Sequence, residues 1–189
     1  MIAPTAIIDK KAKIGEGTEV WNFVHVRENA TIGKNCILAY GVYVDKNVKI
    51  GNNVAIQNKA SIYRNAIIGD DVFIGPHVCF VNDKNPRSKL IIDLKDSTIV
   101  GKGASIGANS VLLPNVKIGD FALIGAGSVI TKDIPAHALV YGNPATLRGF
   151  VCNCGKKLEK IKEGVAVVMA CRQCKKKFDI PKKIYSEIK

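Results

Sequence analysis

Four cysteines near the end of the chain have the spacing of metal ligands: Cys152-x-Cys154-Gly155, then Cys171-x-x-Cys174, with sixteen residues between the pairs. Thiolates paired on two turns are soft donors that suit one tetrahedral Zn²⁺. A site with all four positions filled by thiolate is structural rather than catalytic. The first pair has one intervening residue where two are usual, and a disulfide is the competing outcome. Cys36 and Cys79 stand apart from this group and are expected to be buried free thiols. A second constellation is Asn82-Asp83-Lys84-Asn85-Pro86-Arg87-Ser88, where amides, both signs of charge and a proline form a loop with binding chemistry. The histidines, His25, His77 and His137, lie 52 and 60 residues apart, so each is weighed alone as general base, substrate contact or surface residue. His137, in Pro135-Ala136-His137-Ala138, is read as structural.

What must position these residues is a six-residue beat. Ile14, Val20, Val26, Ile32, Leu38, Val44, Ile50, Ile56, Ile62, Ile68, Ile74 and Phe80 stand in one phase, and Val100, Ile106, Leu112, Ile118, Ile124 and Ile130 resume it. Two places before each aliphatic sits a small or β-branched residue, as in Ala12, Thr18, Val24, Ala30 and Cys36. A unit this short is one strand and one corner, and it can bury its apolar side only by stacking on its neighbours. Ile14, Ile32, Ile50, Ile68, Val100 and Ile118 are each followed by Gly, which sets three units to an 18-residue coil and carries the phase across the gap. The gap, from Phe80 to Val100, holds 14 extra residues and breaks the repeat at one corner. Two columns of corner residues tolerate positive φ. One is Asn29, Asn47, Asn65, Asp83, Asn115 and Asp133, and the other is Gly17, Asn35, Asn53, Asp71 and Gly103. The expected fold is an all-β parallel β-helix over residues 1–150 with a loop inserted at 82–98, followed by a zinc-ribbon-like module over 151–189. In that module Leu158, Ile161, Val165, Val167, Val168 and Phe178 are the apolar pattern, with Glu163-Gly164 at a hairpin turn.

The chain of 189 residues is 47% hydrophobic and 23% charged, which excludes a disordered or fibrous class. No apolar run approaches the roughly 18–20 residues of a membrane span, and Met1-Ile2-Ala3-Pro4 reads as neither leader nor signal core. A cytoplasmic location is expected. Of the net +12, a surplus of seven falls after residue 150, where 11 basic residues face 4 acidic ones. About 39 residues cannot bury enough to fold unaided, and metal binding would offset that deficit.

The motif [Ile/Val/Leu]-Gly-x-x-x-x with its small residue resembles the hexapeptide repeat of left-handed β-helix acyltransferases, over about residues 3–150. That likeness implies the left hand and a homotrimer with active sites at subunit interfaces. The loop from Phe80 to Ser88, the run Trp21-x-Phe23-Val24-His25-Val26-Arg27 and the run Ile56-Gln57-Asn58-x-x-Ser61-Ile62-Tyr63 are similar to the nucleotide-sugar 3-N-acetyltransferases. Those enzymes acetylate the 3-amino group of UDP-2-acetamido-3-amino-2,3-dideoxyglucuronate or of dTDP-3-amino-3,6-dideoxyhexoses, for surface polysaccharide. The resemblance implies the UDP-linked glucuronate first, with the dTDP sugar or another small-molecule O- or N-acetylation as the alternative. The resemblance makes Asn82 the residue that orients the amine or the developing oxyanion. It makes His25, Arg27, Asn58, Tyr63, Asp83, Lys84 and Arg87 substrate contacts. The closing stretch, Ile118 to Pro135 and Ala138 to Ala145, is similar to the acetyl-CoA end of the superfamily. It implies Ser105, Gly107, Gly125, Ala126, Ser128, Lys132 and Arg148 as cofactor contacts, with small residues admitting the pantetheine arm and Lys132 and Arg148 meeting the phosphates. Relatives carry Lys or Arg directly after Asn-Pro-Ala; here Thr146 stands there, and Arg148 is the substitute.

Two other classes compete. Metal-dependent hydration on the same fold needs three His with two close in sequence, and that pattern is absent. Nucleic-acid binding through the basic tail lacks aromatic interleaving, with only Phe178 and Tyr185 after residue 150 apart from the cysteine framework.

Overall fold

The computed structural model describes residues 1–89 and 97–188 of the chain. The part of the expected insertion at 90–96 lies outside the described residues. From Ile7–Ile8 to Val129–Ile130, nineteen strands of two residues each follow one another, joined by four-residue corners except across the gap. Their pairing is parallel and its step is 18 residues: Ile7 lies beside His25, Lys13 beside Thr31, Glu19 beside Ile37. Across the gap the step becomes 32, with Ile67 beside Ile99 and Ile68 beside Val100, so the insertion leaves the register intact. The nineteen strands divide into three parallel flanks of six, six and seven strands, forming a triangular β-solenoid, and two further strands extend the second flank to a sheet of eight. The first face runs from Lys13–Ile14 to Lys117–Ile118, the second from Glu19–Val20 to Leu123–Ile124, and the third from Ile7–Ile8 to Val129–Ile130.

Each strand puts its second residue inward. Val20, Leu38, Ile56, Ile74 and Ile106 are fully buried at the second face, and Val26, Val44, Ile62, Leu112 and Ile130 at the third. The small column two places earlier is buried with them, from Val24 and Ala30 to Ala122 and Ser128. Aliphatics in contiguous stacks remove their surface from water at about 25 cal/mol per Å², and no coil achieves this alone.

The glycine after each first-face strand has a packing reason. A Cβ on Gly15 would stand 2.4 Å from the carbonyl carbon of Gly33, and one on Gly33 would stand 2.4 Å from the carbonyl oxygen of Gly51. Successive backbones touch along this edge, so the column admits hydrogen and nothing larger.

Asn29, Asn35, Asn47, Asn53, Asn65, Asp71 and Asn115 adopt positive φ as expected, and their side chains form ladders. Asn29 donates to Asn47 (3.4 Å), Asn47 to Asn65 (3.3 Å) and Asn53 to Asp71 (3.0 Å). Asp83 and Asp133 do not adopt positive φ. Asp83 opens the insertion and accepts the backbone N–H of Asn85, and Asp133 closes the solenoid by accepting that of Lys117. A third left-handed column, Phe23, Gly41, Lys59, His77, Asn109 and Gly127, was not anticipated because its residue types do not announce it.

The solenoid closes with Ala138–Gly142, paired in parallel with Leu123–Ile124 and folded back antiparallel on Ala145–Phe150. A three-stranded antiparallel sheet follows, of Glu159–Glu163, Ala166–Ala170 and Lys177–Pro181, then a single helical turn, Lys182–Tyr185. The hairpin turn falls at Gly164-Val165, one residue later than the expected Glu163-Gly164, and Ile161 and Val165 are exposed while Leu158, Val167, Met169 and Ile180 are buried. This sheet packs on the solenoid through His137, whose ring stacks on Phe121 (5.4 Å) and meets Phe178 (4.7 Å). Nδ1 of His137 lies 3.1 Å from the carbonyl oxygen of Val151, which bears out its structural role. Among the described residues, no helix is long and apolar enough to cross a membrane.

Candidate active site and cysteine cluster

The corner that follows the third face carries most of the polar side chains with binding chemistry. His25 is exposed on the outer side of its strand and meets Tyr43 edge-on at 5.6 Å; Tyr43 meets Tyr63 at 5.8 Å. His25 and Tyr43 stand one coil apart at the 18-residue step, and Tyr63 lies two places past Ser61, the residue paired with Tyr43 on the next coil. Arg27 begins the corner. It holds Glu28 through two contacts, Nε at 3.0 Å and Nη2 at 3.1 Å, and reaches Oδ1 of Asp45 at 3.4 Å. The Tyr43 hydroxyl and then Glu28 hold the Arg27 guanidinium above its ordinary value, while burial pushes the Tyr43 phenol up. Asp45 is 3% exposed, which an ionised carboxylate tolerates only with partners. Arg64 supplies another, with Nε 3.9 Å from Oδ2.

Asn82 occupies the same column as Arg64, one coil on. It is half-buried beside a space of about 10 Å³, room for roughly one water, lined also by Tyr63, Arg64, Thr98, Pro114 and Asn115. Asp83 is half-buried, whereas Lys84 and Arg87 are exposed, with Nη1 of Arg87 donating to the carbonyl of Pro86 (2.9 Å). His25 lies three coils from Asn82, about 14 Å at about 4.8 Å per coil, so the two do not share one reacting centre within a chain. His77 sits at a left-handed corner (φ 58) on the opposite edge of the third face, its backbone N–H donating to the carbonyl of Asn58. Asn58 is thus separated from Arg27, Tyr63 and Asn82 by the width of that face. Neither Asp45 nor Arg64 was expected from the sequence. The signal that would have found Arg64 is its column, two places past Ile62 as Asn82 is two places past Phe80.

The cofactor candidates divide. Ser105 is half-buried on the outer side of the second face, and Gly107, Gly125 and Ala126 line the corner after it. The two glycines are small for a different reason than cofactor approach. A Cβ on Gly107 would stand 2.4 Å from the nitrogen of Ala126, and one on Gly125 would stand 2.7 Å from Cβ of Tyr141. A Cβ on Gly127, by contrast, would meet nothing within 4 Å, so the backbone there is open on that side. Ser128 must be corrected. It belongs to the inward small column, is fully buried, and donates its hydroxyl to the carbonyl of Gly125 at 2.6 Å, so it cannot meet a ligand outside. Lys132 is exposed and lies 3.8 Å from the Glu187 carboxylate, in a cleft it shares with Ile134, Pro135, Thr146 and Leu147. Arg148 lies over the Tyr141 ring at 5.1 Å, anchored at the closing hairpin.

Cys79 also departs from expectation: it stands on the outer side of its strand and is half-buried, whereas Cys36 is buried with its thiol 3.2 Å from the carbonyl oxygen of Gly51. The other four thiols come together. All four Sγ atoms lie within 4.8 Å of one another, with Cys152 to Cys174 at 3.3 Å and Cys154 to Cys171 at 3.6 Å. These separations exceed a disulfide bond of about 2.05 Å. They suit the edges of a tetrahedron whose centre is about 2.3 Å from each sulfur. Backbone N–H groups of Cys174 and Gln173 pull the Cys171 thiol down to about 6, whereas burial pushes the Cys152 thiol up to about 12.

The bacterial transferase hexapeptide family (six repeats) matches residues 11–46, 47–81 and 97–132. Over 187 residues the chain is 47% identical to the dTDP-3-amino-3,6-dideoxy-alpha-D-galactopyranose 3-N-acetyltransferase of Aneurinibacillus thermoaerophilus, with 99% of this chain and 94% of that protein covered. It is 32% identical over 160 residues to the bifunctional protein GlmU of Aquifex aeolicus, covering 85% of this chain but 28% of that protein. Among solved structures, the hexapeptide transferase family protein from Anaplasma phagocytophilum has a TM-score of 0.55 at 19% identity, covering 78% of this chain and 80% of that one. The acetyltransferase domain of PglB from Neisseria gonorrhoeae has a TM-score of 0.51 at 22% identity, covering 78% of this chain and 56% of that one. These two likenesses concern the fold alone.

Proposed function

The chain belongs to the bacterial transferase hexapeptide family, and on that premise we propose that it is an acetyl-CoA-dependent N-acetyltransferase acting on the 3-amino group of a nucleotide-linked amino sugar. The observation that carries this is the likeness, along nearly the whole of both chains, to an enzyme named for that reaction. The sequence alone had put the UDP-linked glucuronate first. The dTDP-linked 3-amino-3,6-dideoxyhexose now takes that place, because the whole-length relative is named for one.

In this reading the free amine attacks the thioester carbonyl. A C–N bond forms, the C–S bond breaks, and the departing CoA sulfur accepts the proton the nitrogen loses. An amine needs no deprotonation to an oxyanion before it attacks, so the chain's work is proximity and hydrogen bonding to the tetrahedral intermediate. Asn82 orients the amine or the oxyanion. Tyr63 flanks the sugar, the loop residues Asp83, Lys84 and Arg87 border it, and Arg27, three coils from Asn82, stands further along the column on the nucleotide side. Acetyl-CoA runs along the corner of Gly107, Gly125 and Ala126, with Lys132 or Arg148 at its phosphates.

In one chain Asn82 and the Gly107, Gly125 and Ala126 corner line opposite edges of the third face, whereas Lys132, two places past Ile130, lies in the Asn82 column. Two copies packed edge to edge unite them, which supports a homotrimer with three interfacial sites. Four thiolates at tetrahedral spacing support a structural Zn²⁺ in the tail, and both thiolate zinc and acetyl-CoA suit a cytoplasmic enzyme. The test is thiol release from acetyl-CoA against dTDP- and UDP-linked 3-amino sugars. Turnover of the dTDP sugar is expected; release with no 3-amino sugar would overturn the proposal.

A further inference from the structure

Arg64 has the placement of a ligand-binding arginine. Its Nε is buried, makes no hydrogen bond, and faces Oδ2 of Asp45 at 3.9 Å. Asp45 is itself fixed, its Oδ1 accepting Nη1 of Arg27 at 3.4 Å and the backbone N–H of Lys46 at 2.8 Å. Arg27 is committed to Glu28 as well, through two contacts. The Arg64 side chain remains 34% exposed and lines the space beside Asn82. A buried carboxylate on one side and an open side in front leave the planar fork with donors free for an arriving anion.

Ser61 pairs with Cys79, which puts Arg64 and Asn82 on neighbouring coils, about 4.8 Å apart along the column. On a pyranose the 3-amino group and the phosphate carried on C1 are in a 1,3 relationship, a span of the same order. With Asn82 at the amine, Arg64 lies where the diphosphate begins. Both candidate substrates carry a diphosphate, whereas only the uronate carries a sugar carboxylate, so the shared anion is the one to assign.

We propose that Arg64, facing Asp45, is a substrate-binding residue that takes the diphosphate of the nucleotide sugar next to Asn82. The proposal rests on the nucleotide-sugar reading of the site. Arginine forks bind phosphate bidentately through charge-assisted hydrogen bonds. Lysine offers a point charge only, so Arg64→Lys is a partial loss and Arg64→Gln a full one.

The test is calorimetric titration of the full-length protein with dTDP, UDP, thymidine, UDP-glucose and UDP-glucuronate, using the wild type, Arg64→Lys and Arg64→Gln, each checked for the wild-type melting curve. Arg64→Gln is expected to weaken dTDP, UDP and UDP-glucose by roughly tenfold to a hundredfold. Arg64→Lys is expected to fall between it and the wild type, and acetyl-CoA affinity should be unchanged in both. A folded Arg64→Gln protein that binds dTDP as tightly as the wild type would sink the proposal and leave the acetyltransferase reading standing. Weakening confined to UDP-glucuronate would also overturn it, by assigning the arginine to a sugar carboxylate. A wild-type protein that binds neither dTDP nor UDP would instead remove the nucleotide-sugar reading beneath it.

Discussion

At the scale of single residues, the fate of a polar side chain depends on which half of a six-residue unit it occupies. Ser128 and Asn82 are both small and polar, yet one is fully buried and the other stands half-open at a corner. They therefore differ in what substitution should do. Asn82→Ala is expected to lower kcat/KM by about 10²-fold or more, the loss that follows removal of one hydrogen-bond donor from a tetrahedral intermediate. An unchanged kcat/KM in the thiol-release assay would remove Asn82 from the mechanism. Ser128→Ala is expected to cost about 1 kcal/mol of stability, since a buried hydroxyl bond of 2.6 Å is lost, with no change in the KM for acetyl-CoA. A raised KM in a protein of unchanged melting temperature would return Ser128 to the cofactor site. The inward position of Ser128 was legible, because it sits two places before Ile130 as Cys36 does before Leu38. The function borrowed from the family resemblance concealed it.

At the scale of the coil, corners matter more than strands. A two-residue strand contributes little by itself, and the corner must let successive backbones approach. Gly33→Ala is expected to destabilise toward the upper end of about 1–3 kcal/mol, because the new Cβ meets backbone at 2.4 Å and no side chain can give way. Denaturant melts would check this, and a loss near zero would mean that the coils can separate locally. The asparagine ladder has an acid limit. Hydrogen bonding from Asn53 first, and Lys102 second, holds the Asp71 carboxyl below its ordinary 3.8. A group with a depressed folded pKa stabilises fully above its unfolded value and loses that contribution as pH falls through the folded one. Asp71→Asn should therefore lower stability at pH 7, where the ionised carboxylate contributes, and change little well below about pH 4, where Asp71 is protonated in the wild type too. A parallel shift at both pH values would show that the ladder, not the charge, carries the effect.

At the scale of the whole molecule, the cysteine-bearing tail is joined to the end of the solenoid by one continuous apolar core that includes Cys152, Leu158, Val167 and Cys171. Its docking passes through the Phe121–His137–Phe178 contact. Freshly purified protein is expected to hold about one zinc per chain. Removing it with a chelator should expose the segment after Phe150 to proteolysis while the parallel strands persist. Elemental analysis and limited proteolysis read these two outcomes separately, and a zinc-free protein with a resistant tail would refute the metal's role.

The period alone determined much of this protein. Six-residue spacing decides which side chain points inward, and the 18-residue glycine register decides which units stack, because each depends only on near neighbours along a one-dimensional stack. The solenoid and the gap at one corner were legible for that reason, and the four-thiol cluster was legible from the close spacing of its two cysteine pairs. Only the tertiary structure decided what depends on reach across coils or between modules. The glycines at 107 and 125 serve packing, His137 serves docking, and Arg64 is aimed by a buried carboxylate 19 residues earlier in the chain. Spacing puts Asp45 and Arg64 on neighbouring coils. Whether their side chains meet is a matter of rotamer and burial, and no periodicity encodes that.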